Sequence, residues 1–303
     1  MVLGMSDEAV TLVVGADCPI GRSLVARLVM NAQSVRGTTR RRSGTGPARY
    51  FLDLATDVAN WNCPTSVNAA VICAGVTKAD ALARDPEGAA RVNLFGIPQL
   101  ISKLQLQQAY VVFLSSSSVF DGSRPFVHAD APLAPLTKYG QHKAILERQI
   151  LEFGGGGAVI RLTKVLEPGF PLFQQWIESL RKRDIIHPFE DQRFAPVPVR
   201  FVAAVLERVL AGRCSGVVQV SAREEITYAQ AARYIAARIG APQELVQPIS
   251  YRNVSADLVV PRHTTLDIRR LTGELGLEPP DVWPTIEEAM NQELPRSGGT
   301  HAA

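Results

Sequence analysis

The stretch TLVVGADCPIGRSLVARL (11–28) decides how the rest of the chain is read. An apolar run ends at a glycine, turns through a few small residues and enters an amphipathic helix. Pro19 suits the first helical position, where a missing N–H costs nothing, so Cys18 is the expected N-cap. Gly21, Leu24, Val25 and Leu28 share one helix face, and a glycine there lets helix and strand approach closely. Gly15 supplies the tight turn. The helix start, Pro19-Ile20-Gly21, offers its N–H groups and positive dipole to an anion. In a G-x-x-G-x-x-G dinucleotide loop the middle glycine falls at position 18, where this chain has Cys18. By itself the pattern fits both a cofactor loop and a ligand-free α/β turn.

Working outward, short β-rich runs alternate with helical patterns: 10–16, 34–40, 48–54, 69–75, 109–117 and 157–163, with helices over 19–31, 85–107 and 138–153. This alternation predicts an α/β fold, a Rossmann-type doubly wound parallel sheet whose strand C-termini share one ligand-binding edge. Beyond residue 165 prolines become frequent and the alternation stops, which predicts a smaller C-terminal substrate-binding lobe over 166–292 after a dinucleotide-binding domain over 1–165. GVVQVSA (216–222) reads as a strand returning to the first sheet. Thr227 and Gln230 have capping-box spacing, and residues 293–303 read as a disordered tail.

Bulk properties narrow the class. The 303 residues are 46% hydrophobic and 20% charged, with a net charge of +3, too balanced for a nucleic-acid binder. Cys18, Cys63, Cys73 and Cys214 are widely spaced, with no metal-ligand spacing, as expected of a reduced, cytoplasmic protein without a bound metal. No apolar run approaches the ~20 residues that span a bilayer, and MVLGMSDEAV (1–10) lacks the pattern of a signal peptide.

A second feature bears on the loop. The next strand ends GTTRRR, with Thr39 and Arg40 about where a sheet that prefers NAD carries an acidic residue for the ribose hydroxyls. A guanidinium there favours a 2′-phosphate, so the expected cofactor is NADP (NADPH), with NAD disfavoured. The plainer alternative is three solvated arginines, Arg40 to Arg42.

YVVFLSSSSVFDG (110–122) and LTKYGQHKAILERQILEF (136–153) carry the chemistry. Tyr139 and Lys143 are i, i+4 neighbours, and Leu146, Ile150 and Phe153 fall within about 40° of the same line. One reading is a snorkelling lysine beside a core tyrosine. The other is an ammonium that lowers the phenol pKa, making Tyr139 a proton donor and acceptor for a carbonyl/alcohol pair, with Ser116 holding the same oxygen.

Together these pieces resemble the extended branch of the short-chain dehydrogenase/reductase superfamily. They are the Gly15–Gly21 loop, FLDLA with Asp53 and Leu54, ICAG with Ala74 and Gly75, VNLFG with Asn93, the serine run, and Y-x-x-x-K at 139–143. Within that branch SSSSVFDG (115–122), DQRFAP (191–196) and PRHTTLD (261–267) are similar to elements of the dTDP-4-dehydrorhamnose reductases. The resemblance implies hydride transfer from NADPH to the 4-keto carbon of a nucleotide-linked sugar, in surface polysaccharide or glycoside precursor synthesis. Tyr139 would be the acid, Ser116 would orient the oxygen, and Lys143 would tune Tyr139 and bind the nicotinamide ribose. It further implies a nucleotide-sugar contact set of Val76, Ser117, Phe120, Trp176, Gln192 and Arg193, and a monomer or homodimer. The chain departs from the pattern at Cys18, at Ser117-Ser118 for Asp-Tyr, and at Phe194 and Val197 for a glycine and a threonine.

Three neighbouring activities compete. A 4,6-dehydratase has Thr-Asp-Glu where this chain has Ser116-Ser117-Ser118, which speaks against it. A 4-epimerase with retained NAD is disfavoured by Arg40. A non-catalytic regulatory member of the fold has no need of the intact Ser116/Tyr139/Lys143 set.

Overall fold

In the computed structural model the residues described are 9–56, 58–152, 154–254 and 261–291; the sequence expectations for Phe153, the first eight residues and the 293–303 tail lie outside them. Six strands of the first half are β1 (Val10–Val14), β2 (Val35–Thr39), β3 (Arg49–Phe51), β4 (Val67–Ile72), β5 (Tyr110–Ser116) and β6 (Gly157–Leu162). Between them lie α1 (Pro19–Met30), α2 (Ala79–Arg84), α3 (Pro86–Ala90), α4 (Ile97–Leu106) and α5 (Lys138–Glu152). The second half adds β7 (Val165–Leu166), α6 (Pro171–Arg181), β8 (Arg193–Phe194), β9 (Val197–Pro198) and α7 (Val199–Gly212). It continues with β10 (Gly216–Val220), β11 (Ile226–Thr227), α8 (Tyr228–Arg238), α9 (Arg269–Gly273) and α10 (Val282–Met290).

The central sheet has seven strands in the order β10-β6-β5-β4-β1-β2-β3, all parallel. The Rossmann-type fold read from the alternation is therefore present. β10 pairs with β6 from Gly216↔Ala158 to Val220↔Leu162 and forms one edge. The order reverses between β1 and β4, and in an open parallel sheet that crevice is the ligand site.

Both faces are covered, so the central strands are apolar along their length rather than alternating: β1 is buried at all five positions. One face packs under α1 and α7, with Leu24, Leu28, Val202 and Leu206 in its core. The other packs under α4 and α5, with Leu100, Leu104, Leu146 and Ile150. The predicted 85–107 helix is helical over 86–106 but not uniform. A π-helical turn at Arg91–Gly96 separates α3 from α4 and carries the buried Asn93. Such turns occur mostly as single bulges within α-helices, frequently at functional sites.

A third core belongs to the second half. Trp176, Phe173, Ile177 and Leu180 on α6 pack with Ala231, Ile235, Val282 and Ile286 from α8 and α10. The Thr227–Gln230 capping box forms as its spacing predicts, with Gln230 N–H donating to Thr227 Oγ1 at 3.1 Å and Thr227 N–H to Gln230 Oε1 at 2.8 Å.

Candidate active site

The β1–α1 turn is built as the opening stretch suggests. Gly15 has φ +83°, and a Cβ there would meet the Ala74 backbone nitrogen at 2.9 Å, so only glycine fits between β1 and the end of β4. Cys18 is the N-cap of α1 in extended conformation, and its sulfur accepts the Gly21 N–H at 3.3 Å. One helix-terminal donor is thus already engaged by the thiol. Gly21 and Leu24 are buried, and Pro19 and Ile20 form the helix start; of this turn Gly15, Asp17 and Cys18 line the cleft described next, whereas Pro19, Ile20 and Gly21 do not.

A cleft of about 550 Å³ opens at the switch point, between the ends of β1, β2 and β4. Of the predicted positions it is lined by Gly15, Cys18, Thr39, Arg40, Asp53 and Leu54 on one side, and by Ala74, Gly75 and Val76 on the other. Asn93 does not line it but fixes that second wall. Its side chain accepts the Val76 N–H at 2.9 Å and donates to the Val76 carbonyl at 3.0 Å. A buried amide satisfied on both ends in this way locks a loop against a helix.

Asp17, which the sequence reading passed over, also lines the cleft. It pairs with Arg49 and accepts the Thr39 hydroxyl at 2.6 Å, tying the β1–α1 turn to the ends of β2 and β3. Its only sequence signal is a carboxylate inside a phosphate-type turn, which needs a cationic partner that only the sheet order supplies.

A second cavity of about 480 Å³ adjoins the first, sharing Thr77, and is lined by Ser118, Thr137, Tyr139 and His142 among others. β5 and α5 carry the three residues of the predicted set, of which Tyr139 alone lines this cavity. Ser116 ends β5 and its hydroxyl lies within hydrogen-bonding reach of Ser118 Oγ, at 3.1 Å, and of Tyr139. Gly140 makes this possible: a Cβ there would collide with the Ser118 carbonyl, so α5 can approach the serine turn only with glycine after the tyrosine. His142, a further residue the sequence reading missed, contacts Asn93 Nδ2 through its Nδ1 at 3.3 Å.

One electrostatic expectation is corrected. The Tyr139 phenol is not lowered; burial pushes it up to about 12, against the opposing hydrogen bond with Ser116. Lys143 Nζ donates to the Leu114 carbonyl at 2.6 Å and lies 5.7 Å from the Tyr139 ring centroid. Burial lowers Lys143 to about 8, while Glu147 and Cys73 act to raise it. The desolvation of the tyrosine outweighs the lowering by Ser116, and the Lys143 ammonium is engaged by a carbonyl.

The expected sugar contacts divide. Val76 lines the cleft and Ser117 begins a short 3-10 turn beside Ser116. Phe120 instead is buried, packed with Val119, Val127 and Leu266 and lying 5.0 Å from the Arg161 guanidinium. Trp176 is likewise core, stacked on Phe173 at 5.6 Å, because α6 buries its whole apolar face. Neither residue lines either cavity. Gln192 and Arg193 are half-buried at β8, with Arg193 Nε 4.0 Å from Glu225, and they also lie outside both cavities. Phe194, in place of a glycine, stacks on Tyr228 with centroids 4.4 Å apart.

A parallel sheet ordered 3-2-1-4-5-6-10, a glycine turn at its switch point and Ser116, Tyr139 and Lys143 on the neighbouring β5 and α5 define an extended short-chain dehydrogenase/reductase-like protein. More narrowly, residues 9–294 match the RmlD substrate binding domain family, and the chain belongs to that family.

Among curated relatives, the probable low-salt glycan biosynthesis reductase Agl14 of Haloferax volcanii is 26% identical over 71% of this chain and 74% of its own. The dTDP-4-keto-6-deoxy-D-glucose reductase of Streptomyces niveus is 27% identical over 94% of this chain and 96% of its own. The methionine adenosyltransferase 2 subunit beta of Rattus norvegicus is 26% identical over 71% and 70%. In fold the chain is similar to dTDP-4-dehydrorhamnose reductase from Bacillus anthracis in complex with NADP, with a TM-score of 0.79, 20% identity and coverage of 93% and 98%. It is also similar to MoeE5 in complex with UDP-glucose and NAD, with a TM-score of 0.78, 21% identity and coverage of 92% and 97%.

Proposed function

We propose that the protein is an NADPH-dependent reductase of a 4-keto, nucleotide-linked (deoxy)sugar. The observation that carries this reading is Tyr139 lining a cavity that adjoins the glycine-turn cleft, with the Ser116–Ser118 turn packed against α5 through Gly140. The cleft fits a dinucleotide. It has the volume, a turn that only glycine can make, and a helix N-terminus aimed at it. When bound, the nicotinamide supplies the hydride.

The chain's own residues do the rest. Tyr139 is protonated at neutral pH and donates its proton to the carbonyl oxygen, which Ser116 holds in place. Lys143 is a buried cation one helical turn away and stabilises the phenolate left behind. Asn93 keeps the Val76 wall at the right distance. Arg40 and Arg41 reach the mouth of the cleft beside Thr39, where a guanidinium suits a 2′-phosphate, and Arg49 offsets the Asp17 charge nearby. Residues 1–165 with the returning strand hold the cofactor. The sugar-binding role of the lobe over 166–292, in a cytoplasmic enzyme, rests on the family resemblance, because the residues lining both cavities all precede it; among the described residues no helix is long and apolar enough to cross a membrane.

A second reading rests on the similarity to methionine adenosyltransferase 2 subunit beta, in which the site would bind a ligand and regulate a partner. Titration of the purified protein with NADPH and NADH, read by energy transfer to the nicotinamide, separates these. Preferred NADPH binding followed by turnover of 4-keto nucleotide sugars supports the reductase. Copurifying NAD points to an epimerase, and binding without turnover of any such sugar points to the regulatory role.

A further inference from the structure

Two of the four thiols, Cys18 and Cys73, line the same cleft. Cys18 caps α1 and Cys73 directly follows β4, the strand beside β1; both line the cleft and neither is in a disulfide. The Cys18 S–H points at the Cys73 carbonyl at 3.8 Å, and the two side chains hydrogen-bond to one another. The Cys18 sulfur also accepts the Gly21 N–H at the start of α1. That hydrogen bond with Cys73, with help from the Gly21 and Ile20 amides and Arg22, lowers Cys18 to about 7 against the cost of burial. Cys73 is held up, first by the same hydrogen bond and then by burial. A half-buried thiol of lowered pKa at a helix N-terminus beside a thiol held protonated is the arrangement of an attacking and a resolving cysteine. The other thiols lack it. Cys63 contacts the Gln107 amide and is raised by burial, and Cys214 lies past the end of α7, where the Tyr110 hydroxyl donates to its carbonyl.

We propose that Cys18 is a peroxide-reactive modification site resolved by Cys73, so that an intramolecular disulfide closes the cleft at the β1–α1 turn. The Cys18 thiolate attacks one peroxide oxygen, the O–O bond breaks, and hydroxide leaves and is protonated to water, giving a sulfenic acid. The Cys73 sulfur then attacks the Cys18 sulfur, and the displaced hydroxide takes the Cys73 proton as a second water. In sum, two thiols lose two electrons and two protons, and one hydrogen peroxide becomes two waters. The new bond draws the Cys18 sulfur off the Gly21 N–H toward β4, narrowing the turn where a pyrophosphate approaches. The effect on cofactor rests on the dinucleotide reading above, whereas the thiol chemistry stands apart from it.

The test treats the full chain with hydrogen peroxide at neutral pH and maps its peptides without reduction, with NADP titrated before and after. The expected result is one cross-linked Cys18–Cys73 peptide pair and an intact mass short by two hydrogens. NADP affinity falls by about tenfold or more and is restored by dithiothreitol. NADP added first slows the link, and in Cys73→Ser the oxidation stops at a dimedone-trappable sulfenic acid on Cys18. Links through Cys63 or Cys214 instead, or Cys18 unreactive in the folded chain, overturn the proposal, as does a link that leaves NADP affinity unchanged. If the link forms but the reduced protein binds neither NADP nor NAD, the modification site stands and the cofactor reading falls.

Discussion

The Lys143 ammonium donates to the Leu114 carbonyl at 2.6 Å and is held 5.7 Å from the Tyr139 ring centroid. The lysine is held by that carbonyl and not by the tyrosine, and burial strongly perturbs its own ionisation. In the folded state it falls from 10.5 to about 8.

This depression has a stability consequence with a definite sign. Below about 8 both folded and unfolded chains carry the charge, and the fold bears the full cost of burying it, on the order of 3 kcal/mol. Between about 8 and 10.5 the unfolded chain binds more protons, so the cost is relieved as pH rises. Lys143→Met removes the charge. Wild-type stability should gain on that variant as pH is raised through this window, as urea titrations at several pH values would show. A constant difference would mean that Lys143 is better solvated than its burial indicates.

Tyr139 should behave as an acid that is always loaded at neutral pH. With the phenol raised to about 12, reduction should be insensitive to it below pH 9 or so. The reverse oxidation, which needs phenolate, should climb with pH. Tyr139→Phe should keep NADPH affinity within about twofold while kcat falls by about 10² to 10⁴. Turnover at the wild-type rate on the same sugar would remove Tyr139 from the chemistry.

Arg40 is exposed at the cleft mouth, where its charge matters only to a ligand that carries one. Arg40→Ser should weaken NADPH by about tenfold and leave NADH nearly unchanged, a difference that shrinks at high salt. Equal losses for the two cofactors would assign the arginine to the shared part of the molecule instead.

Cys18→Gly should preserve or tighten NADP binding. Glycine costs a helix N-cap only a few tenths of a kcal/mol, and removal of the sulfur frees the Gly21 N–H for a phosphate oxygen. Loss of binding in a protein with an unchanged melting temperature would show that the thiol itself contacts the cofactor.

Replacing Asn93 with Ala should weaken dinucleotide binding more than it slows any later step, because both bonds to Val76 would be lost and the wall would loosen. A kcat effect with unchanged cofactor affinity would place Asn93 on the proton path through His142 instead.

Much of this site is local, and what is local was legible. Gly15, Cys18 and Pro19 set a turn and a helix start through backbone geometry and capping, which depend on a few consecutive residues. Strand alternation determined the sheet class, since parallel strands buried on both faces need unbroken apolar runs. The Tyr139–Lys143 spacing put both residues on one helix face. Packing across the chain decided the rest. Trp176 and Phe120 are large and apolar, and only the assembled fold shows that both are buried in hydrophobic clusters. Asp17 with Arg49, and the buried pair Glu147 with Arg161, join residues far apart in the chain, and no periodicity relates their positions. The Tyr139 phenol is the clearest case. A sequence places a lysine beside it, but only the fold determines how far both are withdrawn from water, and desolvation outweighs the hydrogen bond with Ser116.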